Sequence, residues 1–187
     1  MGAQDYFDVT MDLLAAEGYP ALKQQRLCQA LGVTTGSFYT HFGSWQDFTG
    51  RFLEHWTEQR TLQIAELADQ AEDPIAALTL LRERALSTPH RSEAAIRAWS
   101  LADPTVAATQ ARVDRLREEA IFRAMSKMFD DAEEARHFAR MAMFTLVGFE
   151  QIEANDARPE HLDAVLQRIL VAVVEASGWT TEAVRSR

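Results

Sequence analysis

The chain has 187 residues, 47% of them apolar, a formal net charge of -9 and a single cysteine. Such a length fills one large domain or two small ones around a buried core, and the negative charge excludes loose, sequence-indifferent attraction to nucleic acid or anionic lipid. Cys28 on its own excludes an intramolecular disulfide and a cysteine-clustered zinc site, as suits a reducing compartment. No run approaches the roughly 18 consecutive apolar residues of a spanning helix, and the first residues lack the basic-then-apolar pattern of a secretory signal. A cytoplasmic protein with no membrane partner is expected.

Apolar residues recur at spacings of three and four, which predicts an all-α chain of about nine helices. Asp5 to Glu17 places Tyr6, Val9, Leu13 and Leu14 on one stripe and stops at Gly18, a residue able to take the left-handed backbone that ends helices. After Tyr19-Pro20, a short second helix carries Leu27, Ala30 and Leu31 and ends at Gly32. A third begins at Thr34 or Thr35, either of whose hydroxyls can cap the next turn. Ser44-Trp45-Gln46-Asp47 reads as a capping box with Asp in the usual Glu position. It opens a fourth helix through Phe48, Phe52, Trp56 and Ile64 to about Gln70. Asp73-Pro74 and Asp103-Pro104 each pair a capping side chain with a proline suited to the first helical position. Between them, another helix is expected from about Ser92, after the breaker Thr88-Pro89, with Ala95, Ile96 and Trp99. The helix after Pro104 should reach about Phe129, the one after Asp130-Asp131 about Glu153, and the last should run from Pro159 to just before Gly178. Thr180 to Arg187 read as a short polar tail that frays.

The last two long helices carry apolar residues on more than one face. Met141, Phe144, Leu146 and Phe149 belong to the first, and Leu162, Val165, Leu166, Ile169 and Val173 to the second. Either both helices are central in the monomer, or one stripe faces the core and the other pairs with a second copy in a symmetric four-helix interface. The homodimer is the favoured expectation.

Residues 32 to 42 read Gly-Val-Thr-Thr-Gly-Ser-Phe-Tyr-Thr-His-Phe. Two short helices joined by a glycine turn make a helix-turn-helix, whose second helix enters the DNA major groove. Phe38 and Phe42 stand four apart and share a face with Leu27, Leu31 and Val33, so they form the apolar wedge between the two helices. Thr34, Thr35, Gly36, Ser37, Tyr39, Thr40 and His41 are left for the start and outer side. Hydroxyls can meet base edges or phosphates, threonine methyls can meet thymine methyls, Gly36 lets the backbone come close, and Tyr39 and His41 suit phosphate oxygens. Lys23 and Gln24, at the start of the second helix, complete the expected DNA-binding set, with Arg26 and helix-start amides as further phosphate contacts.

This arrangement resembles the TetR family of transcriptional regulators. The family pattern is a glycine-ended first helix, a second helix, and then Gly-Val-x-x-Gly-x-aromatic-Tyr-x-His-Phe. Here it is carried by Gly18, by Leu27-Cys28-Gln29-Ala30-Leu31-Gly32-Val33 and by Gly36-Ser37-Phe38-Tyr39-Thr40-His41-Phe42. The resemblance implies an N-terminal three-helix DNA-binding domain over residues 1–46 and a C-terminal helical ligand-binding and dimerisation domain over residues 47–187. It implies a homodimer, probing a palindromic double-stranded operator, that acts as a repressor and answers an unknown small-molecule ligand. It implies no catalysis and no cofactor. Two positions depart from the family: Trp45 stands where a phosphate-binding lysine is usual, and Ala21-Leu22 where a threonine often begins the second helix. Acidic residues also outnumber Lys23 and Arg26 in this region. These departures motivate the alternative of a ligand-binding or protein-interaction dimer with weak or lost DNA binding.

For a ligand, Trp99, Phe122, Met125, Met143 and Phe144, with Phe129, fall near the middle of helices expected to surround the C-terminal core. A cavity among them would take an apolar or aromatic molecule, and plain core packing is the competing reading for each. Arg97 is a nearby charge able to orient an acid group. His55, His90, His137 and His161 lack paired metal-ligand spacing, so no metal site is expected. Arg112, Arg115, Arg117, Glu118 and Glu119 read as a solvated, ion-paired face.

Overall fold

The computed structural model describes residues 2–152 and 158–179, and every regular element among them is helical. In chain order these are α1 (Ala3–Glu17), a 3-10 turn (Tyr19–Ala21), α2 (Gln24–Leu31), α3 (Thr35–Tyr39) and α4 (Trp45–Thr57). A π-helical turn (Glu58–Leu62) leads without a break into α5 (Gln63–Asp69). Then come α6 (Pro74–Leu86), α7 (His90–Ser100), α8 (Pro104–Met125), α9 (Ala132–Ile152) and α10 (Pro159–Ser177). The rod expected from Ser44 to about Gln70 is therefore interrupted by one turn of wider winding. The tail from Thr180 lies outside the described residues.

The helix ends follow from side-chain chemistry. Asp73 Oδ1 accepts the Ala76 amide at 2.8 Å, Asp103 Oδ1 the Thr105 amide at 2.8 Å, and Asp131 Oδ1 the Glu133 amide at 2.9 Å. Each satisfies an amide that the first helical turn would leave orphaned. Gly18 ends α1 at φ 74 and ψ 173, a backbone open in practice to glycine alone, while Gly32 ends α2 at φ 66 and ψ 30, the left-handed helical region. α7 starts at His90, two residues ahead of the expected Ser92, because Pro89 supplies a carbonyl that accepts both the Ser92 and Glu93 amides.

The chain divides into two compact units, Met1–Gln59 with Pro89–Arg112, and Arg60–Thr88 with Val113–Arg187. The first is built on aromatic packing. Phe38, Phe42, Phe48 and Phe52 are all buried, with Tyr6 and Phe7 of α1 laid against them at centroid distances of 5.2 to 6.2 Å. Burying each such ring contributes on the order of 2 kcal/mol. α7 joins this unit by packing on α1. Ser92 Oγ donates to the Met11 carbonyl at 2.9 Å, and Trp56 Nε1 of α4 donates to the buried Glu93 carboxylate at 2.8 Å. The expected boundary at residues 46 and 47 falls inside α4, because Phe48, Phe52 and Trp56 belong to the same core as the short helices.

The second unit packs α5 on α6 and α10 on both α6 and α9. Ala135 and Ala139 of α9, Leu162, Ile169 and Val173 of α10, and Leu78, Ala124 and Met125 form its core. Ion pairs edge it: Arg82 with Asp163, Arg123 with Asp69 through bonds of 3.0 and 2.9 Å, and Arg140 with Glu118 at 3.2 Å. Among the described residues no helix is long and apolar enough to cross a membrane.

Candidate DNA-binding surface and ligand cavity

Phe38 and Phe42 build the corner from beneath, each buried, their rings 5.1 Å apart. Thr34 caps α3 by accepting the Ser37 amide on Oγ1 at 3.1 Å, which leaves its hydroxyl proton free to point outward. Thr40 Oγ1 donates to the Ser37 carbonyl at 2.7 Å and keeps its lone pairs for an incoming donor. Thr34, Thr35, Gly36, Tyr39 and Thr40 are exposed and Ser37 is half-buried, so they lie along one outer edge of α3 and its final turn. Tyr39 stands on the edge of Phe38 with 53% of its surface open.

His41 sits differently from the expectation. Its imidazole leans on Tyr6 at 5.4 Å and is half-buried, and its backbone carbonyl accepts from Arg51 Nη1 at 2.9 Å. Sequence reading missed Arg51. It lies seven residues after the capping Ser44 and three after the buried Phe48, on the α4 face that turns back to α3, and its guanidinium also covers the Phe42 ring at 4.9 Å. That spacing was the available signal.

The start of α2 has no side-chain cap; Lys23 is the N-cap residue and exposed, and Gln24 is half-buried. Arg26 is drawn back to α1, where Nε bonds both Glu17 carboxylate oxygens at 3.0 and 3.2 Å. The Arg26 hydrogen bond holds the Glu17 carboxyl below its usual range and raises the guanidinium in turn. Trp45 fills its place with packing, lying over Phe38 and Phe48 at 6.1 and 5.0 Å. Ser44 Oγ accepts the Asp47 amide at 3.0 Å, while Asp47 Oδ2 accepts from Gly43 rather than from Ser44 as a standard capping box would have it.

The expected ligand residues do not meet in one place. Met125 and Met143 line a half-open recess of about 70 Å³ in the second unit, together with Leu78, Ile169 and Leu170. Phe122 is outside its lining and lies under the Arg136 guanidinium at 3.9 Å. Phe144 is 72% exposed and belongs to an open groove between α9 and α10. Trp99 lies in the first unit, buried and stacked on Tyr19 at 5.8 Å, because α7 turns its apolar face to α1. Phe129 stacks on Phe138 at 5.5 Å. Arg117, expected on a solvated face, is half-buried and donates to Thr61 Oγ1 at 3.3 Å.

A short helix, a left-handed glycine turn and a second short helix that is capped by Thr34 and carries a hydroxyl-rich outer edge define a helix-turn-helix. Residues 7–48 match the family model for bacterial regulatory proteins of the tetR family. By that match residues 7–48 are a domain of the tetR type. It is similar to a transcriptional regulator from Rhodococcus sp. Rha1, with a TM-score of 0.78 and 15% identity over 94% of this chain and 97% of that one. A TetR transcription regulator from Haloarcula marismortui aligns with a TM-score of 0.74 and 18% identity over 93% and 96% of the two chains. For a TetR transcriptional regulator from Legionella pneumophila the values are 0.75 and 15%, over 89% and 94%. At these identities the likeness concerns the fold. No curated protein matches the chain in sequence.

Proposed function

We propose that the chain is a ligand-responsive repressor that binds a palindromic operator as a homodimer. The observation that carries the reading is the exposed edge of α3, where Thr34, Thr35, Gly36, Tyr39 and Thr40 stand over a closed aromatic wedge with no large apolar residue but Tyr39 among them. Such an edge offers hydroxyls and a close backbone to the major groove, while Ser37, Lys23 and Gln24 flank it. Arg51 adds a cation at the end of α3, and His41 acts by holding the corner and offering Arg51 its carbonyl.

The dimer is supported by apolar surface that a soluble chain rarely leaves open. Phe144 and Ile152 of α9 are 72% and 84% exposed, and Val165 of α10 is 42% exposed beside the groove they line. A two-fold interface between α9 and α10 and their copies covers these side chains and sets the two α3 helices in successive turns of the groove. Ligand in the second unit favours a dimer whose α3 helices no longer match that spacing, and operator must then weaken ligand binding by the same factor. Selection of genomic fragments at low salt, followed by a gel shift at several salt concentrations, tests this. A saturable, sequence-specific shift lost in Tyr39→Ala supports the repressor.

A second reading is a ligand-binding dimer with little DNA affinity. It is favoured by the Glu17 grip on Arg26, which neutralises one cation near the second helix, and by Trp45, an aromatic ring packed where the resemblance would place a phosphate-binding lysine. Selection that enriches no sequence at low salt favours it.

A further inference from the structure

Bases are told apart in the major groove by particular side chains. Arg or Lys spans the O6 and N7 acceptors of guanine, and Asn or Gln spans N6 and N7 of adenine. From Thr34 to Phe42 the sequence holds none of these four residues. Guanidinium groups of the flanking helices are engaged in other contacts: Arg26 is bound by Glu17, and Arg51 bonds the His41 carbonyl and covers Phe42. The amides of Gln24 and Gln25 belong to α2, the helix that crosses the phosphate backbone in a helix-turn-helix.

The outer edge of α3 offers threonine methyls instead. Thr34, Thr35 and Thr40 are all exposed. Thr34 Oγ1 accepts the Ser37 amide, and the Thr40 hydroxyl proton goes to the Ser37 carbonyl, so two of the three hydroxyls already have a bond within the protein. A threonine methyl packs on the C5 methyl of thymine, the apolar group that an A·T pair shows in the major groove. Gly36 and Thr40 stand four apart on the side of the helix opposite the buried Phe38. With no side chain at Gly36, the Thr40 methyl can come down to a base edge.

We infer that α3 reads thymine methyls in an A·T-rich half-site, through the methyls of Thr35 and Thr40, and leaves guanine edges unread. This rests on the operator reading above and names the base chemistry of that operator.

The test starts from the palindrome that the full-length protein enriches from random duplexes, whose specified positions should be mainly A·T pairs. Half-site thymines are then replaced one at a time by deoxyuridine, which differs in lacking the C5 methyl. Fluorescence anisotropy should show binding weakened about fourfold at each contacted thymine, the scale of one buried methyl. Thr35→Ser and Thr40→Ser keep a hydroxyl and remove a methyl at exposed positions, so the melting temperature should not change. Each should weaken the thymine operator about fourfold per half-site and abolish the loss at one deoxyuridine position. A palindrome specified mainly by G·C pairs, or deoxyuridine without effect, overturns the inference and leaves the operator reading standing. So does a deoxyuridine loss that persists in both serine variants, which would assign it to DNA shape. Enrichment of no sequence removes the operator reading and the inference with it.

Discussion

Replacing Gly36 by alanine separates a glycine kept for the fold from one kept for an outside partner. Gly36 sits at the second position of α3 with an ordinary negative φ, and a Cβ built there meets Thr34 Oγ1 at 3.6 Å, a normal van der Waals contact. Nothing inside the protein therefore needs the hydrogen. Alanine should stabilise the helix slightly, by up to about 0.5–1 kcal/mol and less at a first-turn position. Against DNA the added methyl projects about 1.5 Å from a backbone that is to approach at contact distance, more than hydrogen bonds confined to about 2.7–3.2 Å can absorb. Losing one charge-assisted bond at each half-site costs about 1.5–3 kcal/mol, or roughly ten- to hundredfold in affinity per half-site. Chemical denaturation and fluorescence anisotropy on the selected operator, at one salt concentration, measure the two effects. Unchanged operator affinity in a stable Gly36→Ala protein would refute the placement of α3 in the groove, and a loss of stability would refute the claim that the fold tolerates a Cβ.

The other predictions concern single contacts. Arg51→Gln should flatten the log-log salt dependence of operator binding by about 0.9 if that guanidinium meets one phosphate, and gel shifts between low and moderate salt read this slope. Phe144→Glu places a charge on the open apolar groove and should turn the proposed dimer into a monomer by analytical ultracentrifugation, with helix content preserved because the ring is exposed. Trp56→Phe removes the donor to the buried Glu93 carboxylate and should cost about 1–3 kcal/mol in denaturant unfolding. Burial pushes the Cys28 thiol up. The folded state then retains the proton longer than the unfolded one, so this group's contribution is whole below the ordinary thiol range and declines as pH rises through it. A thiol reagent at pH 8 should leave Cys28 unmodified until denaturant is added.

The fold was legible because its punctuation is local. Asp73, Asp103 and Ser44 cap the helices they were expected to cap, Thr34 is the one of the two candidate threonines that caps α3, and Asp131 caps the helix that Asp130-Asp131 was expected to open, each through a bond to an amide two or three residues away. The outer edge of α3 could be read for the same reason, since Phe38 and Phe42 fix which face is buried. Long-range placement could not be read this way. Trp99 has the same apolar pattern whether α7 faces α1 or the C-terminal core, and long-range contacts such as the bond from Trp56 to Glu93, the seat of Ser92 on Met11 and the Tyr19 stack decide it. Arg117 resembled its charged neighbours on α8, yet it turns inward because Thr61 is brought opposite by the π turn, and no spacing rule announces a π turn. Arg26 and Glu17, nine residues apart across a turn, were likewise invisible as a pair.

The most direct test of the account is the operator itself. Selection from random duplexes with the full-length protein at low salt should enrich a palindrome whose half-site centres lie about 10 base pairs, or a multiple of that, apart, as a two-fold dimer with one α3 per major groove requires. Enrichment of no sequence, or of one lacking two-fold symmetry, would contradict it.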